Sequence, residues 1–291
     1  MQKKIRKAVF PVAGFGTRFL PATKSVPKEM LCVVDKPLIQ YGVEEAIAAG
    51  IEEIIFVTGR NKQAIEDHFD ISFELKASLE ARGKTAALEA VSDFLQEPGR
   101  IKYVRQMEPL GLGHAVWCAR DMIGDEPFAI ISPDDLVLSD RPCIGQLIDA
   151  YGETGGNVVA VEDVPRDQTN KYGILDTPDG DKDLAEVRGL VEKPAPEDAP
   201  STLSIIGRYV LLPDVFEALG RKERGAGGEI QLTDAMAKMI GDYPFHGLRF
   251  SGERFDCGDK LGWLAANIAY GLKREDLGEG VRGIVRRFSE N

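Results

Sequence analysis

The chain has 291 residues, 43% of them apolar and 29% charged, a balance that suits a soluble α/β protein with room for a large core in one domain or two closely joined ones. Its formal net charge of −11 argues against nucleic acid or an anionic membrane as a partner, because both need a basic face. Four widely spaced cysteines with no C-x-x-C pair, no signal-peptide order at the amino terminus and no apolar run near the roughly 18 residues of a membrane span together predict an unexported, cytoplasmic protein with reduced thiols.

The first apolar run, Ala8–Val12, reads as a buried strand that delivers the backbone into Ala13-Gly14-Phe15-Gly16-Thr17-Arg18. Gly14 and Gly16 leave amides uncovered, and Arg18, Lys24 and Lys28 bring cations to the same turn against the acidic average of the chain. Glycine amides and fixed cations together suit a polyphosphate. The dinucleotide-binding fingerprint would need a third glycine where Phe19 stands, and the Gly-Lys-Ser or Gly-Lys-Thr ending of a Walker loop is missing.

Further along, Pro37–Ala49 reads as a helix with Gly50 just past its end, Glu53–Thr58 as a strand, and residues 71–95 as a helical excursion that includes a helix over Lys84–Leu95. Lys102–Arg105 and Phe128–Ser132 read as strands on either side of a helix over Gly113–Met122. Alternation of this kind implies crossover connections and a doubly wound, mostly parallel sheet, whose ligand lies beyond the carboxyl ends of its strands. After Asp135 the pattern shifts to strands at Asn157–Val161, Tyr172–Asp176, Ala185–Val191 and Ile205–Leu211, a sheet extension. Helices return at Pro213–Leu219, Glu229–Ile240 and Lys260–Lys273.

The segment from Gly14 to Lys28 fits G-x-G-T-R-x-x-P-x-T followed by P-K, and it resembles the signature of the sugar nucleotidylyltransferases. Gly111-Leu112-Gly113-His114-Ala115, Pro133-Asp134-Asp135, Val191-Glu192-Lys193-Pro194, Gly207-Arg208-Tyr209-Val210, Gly228-Glu229-Ile230-Gln231-Leu232-Thr233-Asp234 and Asp256-Cys257-Gly258 are similar to further family segments, in family order, over about residues 5–272. The pairing of Pro-Lys-Glu-Met-Leu with Glu-Ile-Gln-Leu-Thr-Asp points to the bacterial UTP:glucose-1-phosphate uridylyltransferase branch. The resemblance implies a Rossmann-like, doubly wound mixed sheet of the nucleotide-diphospho-sugar transferase type with a sugar-binding extension. It further implies a single domain over 1–272, nucleotide-binding over about 1–135 and sugar-binding over about 136–272, followed by a carboxyl-terminal tail, 273–291. One departure is Glu108-Pro109-Leu110, where the family commonly has a small residue and a basic or polar one, and it bears on the conformation of that loop.

The implied reaction is transfer of UMP from UTP to α-D-glucose 1-phosphate, giving UDP-glucose and pyrophosphate, with Mg²⁺ as cofactor. No protein nucleophile is required, so catalysis is positioning and charge neutralisation. Carried over residue by residue, Arg18, Lys28 and Lys193 are the catalytic cations. Ala13, Gly14, Gly16, Thr17, Glu29, Gln106, Gly111 and Asp134 meet the nucleotide; Gly173, Glu192, Lys193 and Gly207 meet the sugar phosphate; Asp134 and Asp256 hold the metal. By residue type alone Asp134 fits a helix-capping turn equally, with Asp135 a substitute ligand, and Glu192-Lys193 fits an exposed strand end. His114 reads as structural. Two alternatives stand beside this function. One is a thymidylyltransferase using dTTP, and the other a non-catalytic nucleotide-sugar-binding subunit, whose expected signature is loss of Arg18, Lys28, Asp134, Lys193 or Asp256. All five are present. The resemblance favours a homodimer or homotetramer; the apolar surplus of residues 71–95 fits either a subunit contact or a helical hairpin buried within the monomer, and the tail, beyond the resemblance, fits an oligomer contact.

Overall fold

The computed structural model describes residues 2–92, 94 and 97–289. Its strands are β1 (Lys7–Pro11), β2 (Cys32–Val33), β3 (Lys36–Pro37), β4 (Glu53–Thr58), β5 (Ile101–Arg105), β6 (Phe128–Ile131), β7 (Asp135–Leu138), β8 (Asn157–Asp163), β9 (Gly173–Asp176), β10 (Leu184–Glu186), β11 (Gly189–Glu192), β12 (Leu203–Leu211), β13 (Phe245–Arg249) and β14 (Glu253–Asp256). Ten of them form one sheet, in the order β10-β13-β8-β12-β6-β1-β4-β5, with β9 set against β12 and β11 against β9.

The amino-terminal half, β6-β1-β4-β5, is wholly parallel. Beyond it β12 runs antiparallel to β6, β8 and β9, while β13 follows β8 in parallel. Seven of the ten strands (β1, β4, β5, β6, β8, β9 and β13) therefore point one way, and β10, β11 and β12 oppose them. The sheet is the expected mixed, mostly parallel one.

Strand alternation sorts the core into two layers. Val9, Ile55, Val57, Phe128 and Ile130 join one buried cluster, while Ala8, Phe10, Ile54, Phe56, Ala129 and Ile131 join the other, so both faces are covered. A smaller third cluster of Val33, Leu38, Leu136, Phe255, Cys257 and Ala266 lies under the antiparallel pair β7/β14 and the helix Lys260–Lys273.

The helix Leu38–Ala48 starts after Pro37 and ends at Ala49, with Gly50 at φ 84°, as the glycine just past its end predicts. The stretch read as one strand, Ala185–Val191, is two. Val187 donates to Phe245 O and Arg188 to Asp176 O, so the chain changes partners between β10 and β11. The helix expected over Glu229–Ile240 is confined to Leu232–Ala237, because Ile230 is engaged in loop pairing: its N donates to Leu110 O and its carbonyl accepts from Gly113 N. Of the helical excursion, Phe73–Ala81 and Thr85–Ser92 form two helices packed on each other, neither with a buried residue, and Leu95 lies outside the described residues. The expected tail is instead a helix, Gly278–Ser289, lying along Lys260–Lys273 with Val281 against Gly271.

Candidate active site

The first loop leaves β1 at its carboxyl end and closes through short turns at Thr17–Phe19, Ala22–Lys24 and Lys28–Met30. Gly16 has φ 65°, and a Cβ there would meet the Lys28 Cβ at 2.9 Å. Its carbonyl accepts from Thr23 Oγ1 at 2.7 Å, which folds the loop back on itself. Gly14, Thr17, Arg18 and Lys24 stay exposed, with Ala13 half-buried. Lys28 reaches across to Asp134, Nζ to Oδ2 at 2.5 Å. Burial opposes the charge of both partners. Lys28 nevertheless sits above its ordinary pKa because of the Asp134 and Glu29 carboxylates, and Asp134 sits below its own because of Lys28.

Asp134 follows β6, and Asp256 ends β14. The β7/β14 register places Asp256 opposite Asp135, and Cys257 N donates to Asp134 O at 2.7 Å, which brings the two carboxylates to one place. That place is outlined by Gly258. A Cβ on it would lie 2.9 Å from Asp256 Oδ1, 3.2 Å from Asp134 Oδ2 and 3.3 Å from an Arg18 guanidinium nitrogen. Burial, and next the neighbouring Asp135, push the Asp256 carboxyl above its ordinary pKa, while the Arg254 and Arg18 guanidinium groups pull it back. A cleft of about 540 Å³ opens here, lined in part by Arg18, Lys171, Tyr172 and Asp256.

Asp135 is committed elsewhere. Its Oδ1 accepts from Arg254 Nε at 2.6 Å and its Oδ2 from Gly207 N at 3.0 Å, so both of its oxygens are occupied within the protein. Arg254 also pairs with Glu162 and lies over the Tyr172 ring.

Beside β12, β9 and β11 pair so that Gly173 faces Glu192. A Cβ on Gly173 would come 2.9 Å from Thr233 Oγ1 and 3.3 Å from Glu192 Oε2, so the glycine admits both groups. Lys193 takes a left-handed φ of 49°, its N donates to Tyr172 O, and its amine lies 3.2 Å from Glu192 Oε1. The side chain of Lys193 is 45% exposed, whereas that of Glu192 is 10% exposed. At Gly207, the glycine expected to admit a sugar, Ser132 Cβ and Asp135 Oδ2 lie 2.6 and 2.7 Å from where a Cβ would stand, so the backbone packs closely against them.

Gln106 follows β5 and is buried, its amide nitrogen within 3.1 Å of Gly111 O and 3.0 Å of His114 Nδ1. The His114 ring is stacked on Trp117. Gly111, at φ 104°, abuts Glu229 and Ile230, and this contact sets the conformation of the departing Glu108-Pro109-Leu110 loop. Glu29 is fully buried and pairs with Lys62, Nζ to Oε2 at 2.7 Å. This ion pair holds Glu29, expected at the nucleotide, against the loop after β4.

Sequence reasoning missed Lys62, Arg254, Tyr172 and Thr233. Tyr172 and Thr233 stand inside matched or adjacent segments and could have been drawn from them. Nothing local marks a lysine or an arginine that will be buried. Among the described residues no cluster of three or more His, Cys, Asp or Glu side chains could by itself enclose a metal ion.

Cations and paired carboxylates at the carboxyl edge of a sheet define a class of enzyme that manages phosphate charge. Residues 7–270 match the model of the nucleotidyl transferase family, and the chain belongs to that family. Its relatives narrow the branch. The UTP–glucose-1-phosphate uridylyltransferase of Komagataeibacter xylinus is 59% identical over 261 residues, 90% of this chain and 92% of that one. A UTP-bound UGPase from Acinetobacter baumannii superposes with a TM-score of 0.90 at 42% identity, covering 97% of this chain and 98% of that one. A UDP-glucose pyrophosphorylase complexed with UDP-glucose gives 0.84 at 44% identity, covering 93% of this chain and 100% of that one.

Proposed function

We propose that the protein transfers UMP from UTP to α-D-glucose 1-phosphate, releasing pyrophosphate and forming UDP-glucose. The observation that carries this reading is the convergence of Arg18, Asp134 and Asp256 on the space before Gly258, one loop away from Lys28. The relatives named as UTP–glucose-1-phosphate uridylyltransferases supply the substrates. A phosphate oxygen of the sugar attacks the α-phosphorus in line while pyrophosphate departs on the opposite side. Arg18 and Lys28 offset charge on the triphosphate, Lys193 holds the sugar phosphate, and Glu192 accepts from sugar hydroxyls. Gln106 and the backbone at Ala13, Gly14 and Gly111 hold the uridine.

The donor set fits Mg²⁺. Two carboxylates that converge without a third match an ion that takes one or two protein oxygens and fills its remaining positions with water and phosphate. Asp134 and Asp256 would hold it. When bound, Mg²⁺ would supply neutralisation of the phosphate charge.

Pyrophosphate release across UTP, dTTP, ATP and GTP with several sugar 1-phosphates tests the substrates. UTP with glucose 1-phosphate is expected to be fastest, and preference for dTTP would move the chain to the thymidylyltransferase reading. Full activity in excess chelator would remove the metal role. The four free thiols suit a reducing, cytoplasmic setting. Exposed apolar side chains on the helices Phe73–Ala81, Lys260–Lys273 and Gly278–Ser289 suit a homodimer or homotetramer.

A further inference from the structure

Four charges of alternating sign run beneath the first loop. Lys62 Nζ lies 2.7 Å from Glu29 Oε2, Glu29 is the chain neighbour of Lys28, and Lys28 Nζ lies 2.5 Å from Asp134 Oδ2. The chain ties the loop after β4 to the Lys28–Met30 turn and on to the residue after β6 that faces Arg18 and Asp256. Lys62 and Glu29 are 5% and 0% exposed. Glu29 Oε1 has no hydrogen-bond partner and is itself buried. A half-satisfied buried ion pair is a poor source of stability, and replacing both partners with neutral groups of similar size is often neutral or stabilising.

The backbone around the pair is arranged for it. Asn61 takes a left-handed φ of 64°, which asparagine tolerates better than most residues, and turns the chain so that Lys62 enters the interior. The preceding Gly59 lies under the first loop, where a Cβ would come 3.1 Å from Ala13 O. The 59–62 loop therefore supports the first loop twice, through the backbone at Ala13 and through the charge at Glu29.

We propose that Lys62 is a positioning residue for nucleotidyl transfer. By neutralising Glu29 it leaves the Lys28 amine to Asp134 and to the triphosphate. The sign of the electrostatics supports this, because Glu29 already attracts Lys28 and, without Lys62, would be a buried carboxylate whose nearest cation is Lys28. Displacing a catalytic cation by about 1 Å is enough to lower turnover on the order of 100-fold. The proposal rests on the reading of Lys28 as a phosphate-neutralising group.

The test is steady-state kinetics of pyrophosphate release by wild type, Lys62→Met, Glu29→Gln and the Glu29→Gln/Lys62→Met double variant, each checked by thermal melting. Lys62→Met is expected to lower kcat by about 10- to 100-fold with the glucose 1-phosphate KM within about twofold of wild type. The double variant is expected to regain most of that loss, since no charge is left uncompensated. A folded Lys62→Met with wild-type kcat overturns the proposal, as does a double variant no better than the single one, which would assign Lys62 or Glu29 a direct contact with substrate. If Lys62→Met does not fold, the double variant still decides: near-wild-type kcat upholds the positioning role, and a loss of 10-fold or more overturns it. Failure of the function itself is separable, because it would appear in the wild-type arm as absent UTP-dependent release, whereas the positioning role is read only from ratios between variants.

Discussion

At the scale of single residues, Gly258 reports most directly on the proposed chemistry. Its backbone lies outside the left-handed region, so alanine is tolerated by the chain, yet the added methyl would occupy the space shared by Asp134, Asp256 and Arg18. Gly258→Ala is therefore expected to lower kcat at least about 100-fold while the melting transition stays cooperative, with Asp134→Asn and Asp256→Asn behaving alike. Unchanged turnover in Gly258→Ala would place the reacting groups elsewhere. In the proposed function Lys193 serves the other substrate. Lys193→Ala should raise the KM for glucose 1-phosphate by roughly 10-fold or more and leave UTP binding by titration calorimetry near wild type, because removing a charge-assisted contact loses about 1.5–3 kcal/mol. The reverse pattern would invert the orientation of the site. The charged residues of the matched segments could be named from sequence, since polyphosphate chemistry demands them. Lys62 and Arg254 could not, because their partners, Glu29 for one and Asp135 and Glu162 for the other, are 33 to 119 positions distant.

At the scale of elements, the buried pair Arg208–Glu45 binds three of them. The guanidinium on β12 donates to both Glu45 oxygens and to Ser132 O, and Glu45 Oε1 also accepts from Ile144 N at the start of the helix Cys143–Thr154. Arg208 is fully buried, so truncating its partner leaves a charge in the core. Glu45→Ala should lower unfolding stability by about 3–5 kcal/mol in denaturant titration. A change below about 1 kcal/mol would mean that water or a shifted backbone compensates Arg208. Most strand positions in the amino-terminal half were legible because apolar runs bounded by turn residues signal buried parallel strands without reference to partners. The breaks at 187–188 and 229–231 were not, because each is imposed by a hydrogen-bond partner from another segment.

At the scale of the whole molecule, apolar surface remains after the core is complete. Phe73 is 74% exposed, Leu261 76% and Phe288 67%, on three different helices. Scattered single residues would need no explanation, but Leu261, Leu264 and Ile268 share one helix face, as do Ile284, Val285 and Phe288 on the helix packed against it. Light scattering at micromolar concentration is expected to show a species larger than a monomer. The double variant Phe73→Asp/Leu79→Asp should shift it toward monomer while retaining uridylyl transfer, since neither residue lines the site. A strictly monomeric wild type would remove the assembly reading, and an unaltered oligomer in the variant would assign the contact to the Lys260–Lys273 and Gly278–Ser289 surface.

The sequence by itself determined the layered sheet, the glycine loop with its cations and the segments that meet at the strand ends. Those features are local, written in periodicity, in backbone freedom and in residue types that phosphate chemistry requires. Only the tertiary structure decided which carboxylates meet. The register of β7 with β14 sets Asp256 opposite Asp135, and Arg254 and Gly207 then occupy Asp135 and leave Asp134 beside Asp256. It also decided that Glu29 lies under the loop with Lys62 rather than at its surface. Burial and pairing depend on what the rest of the chain brings to a point in space, and no short stretch of sequence contains that information.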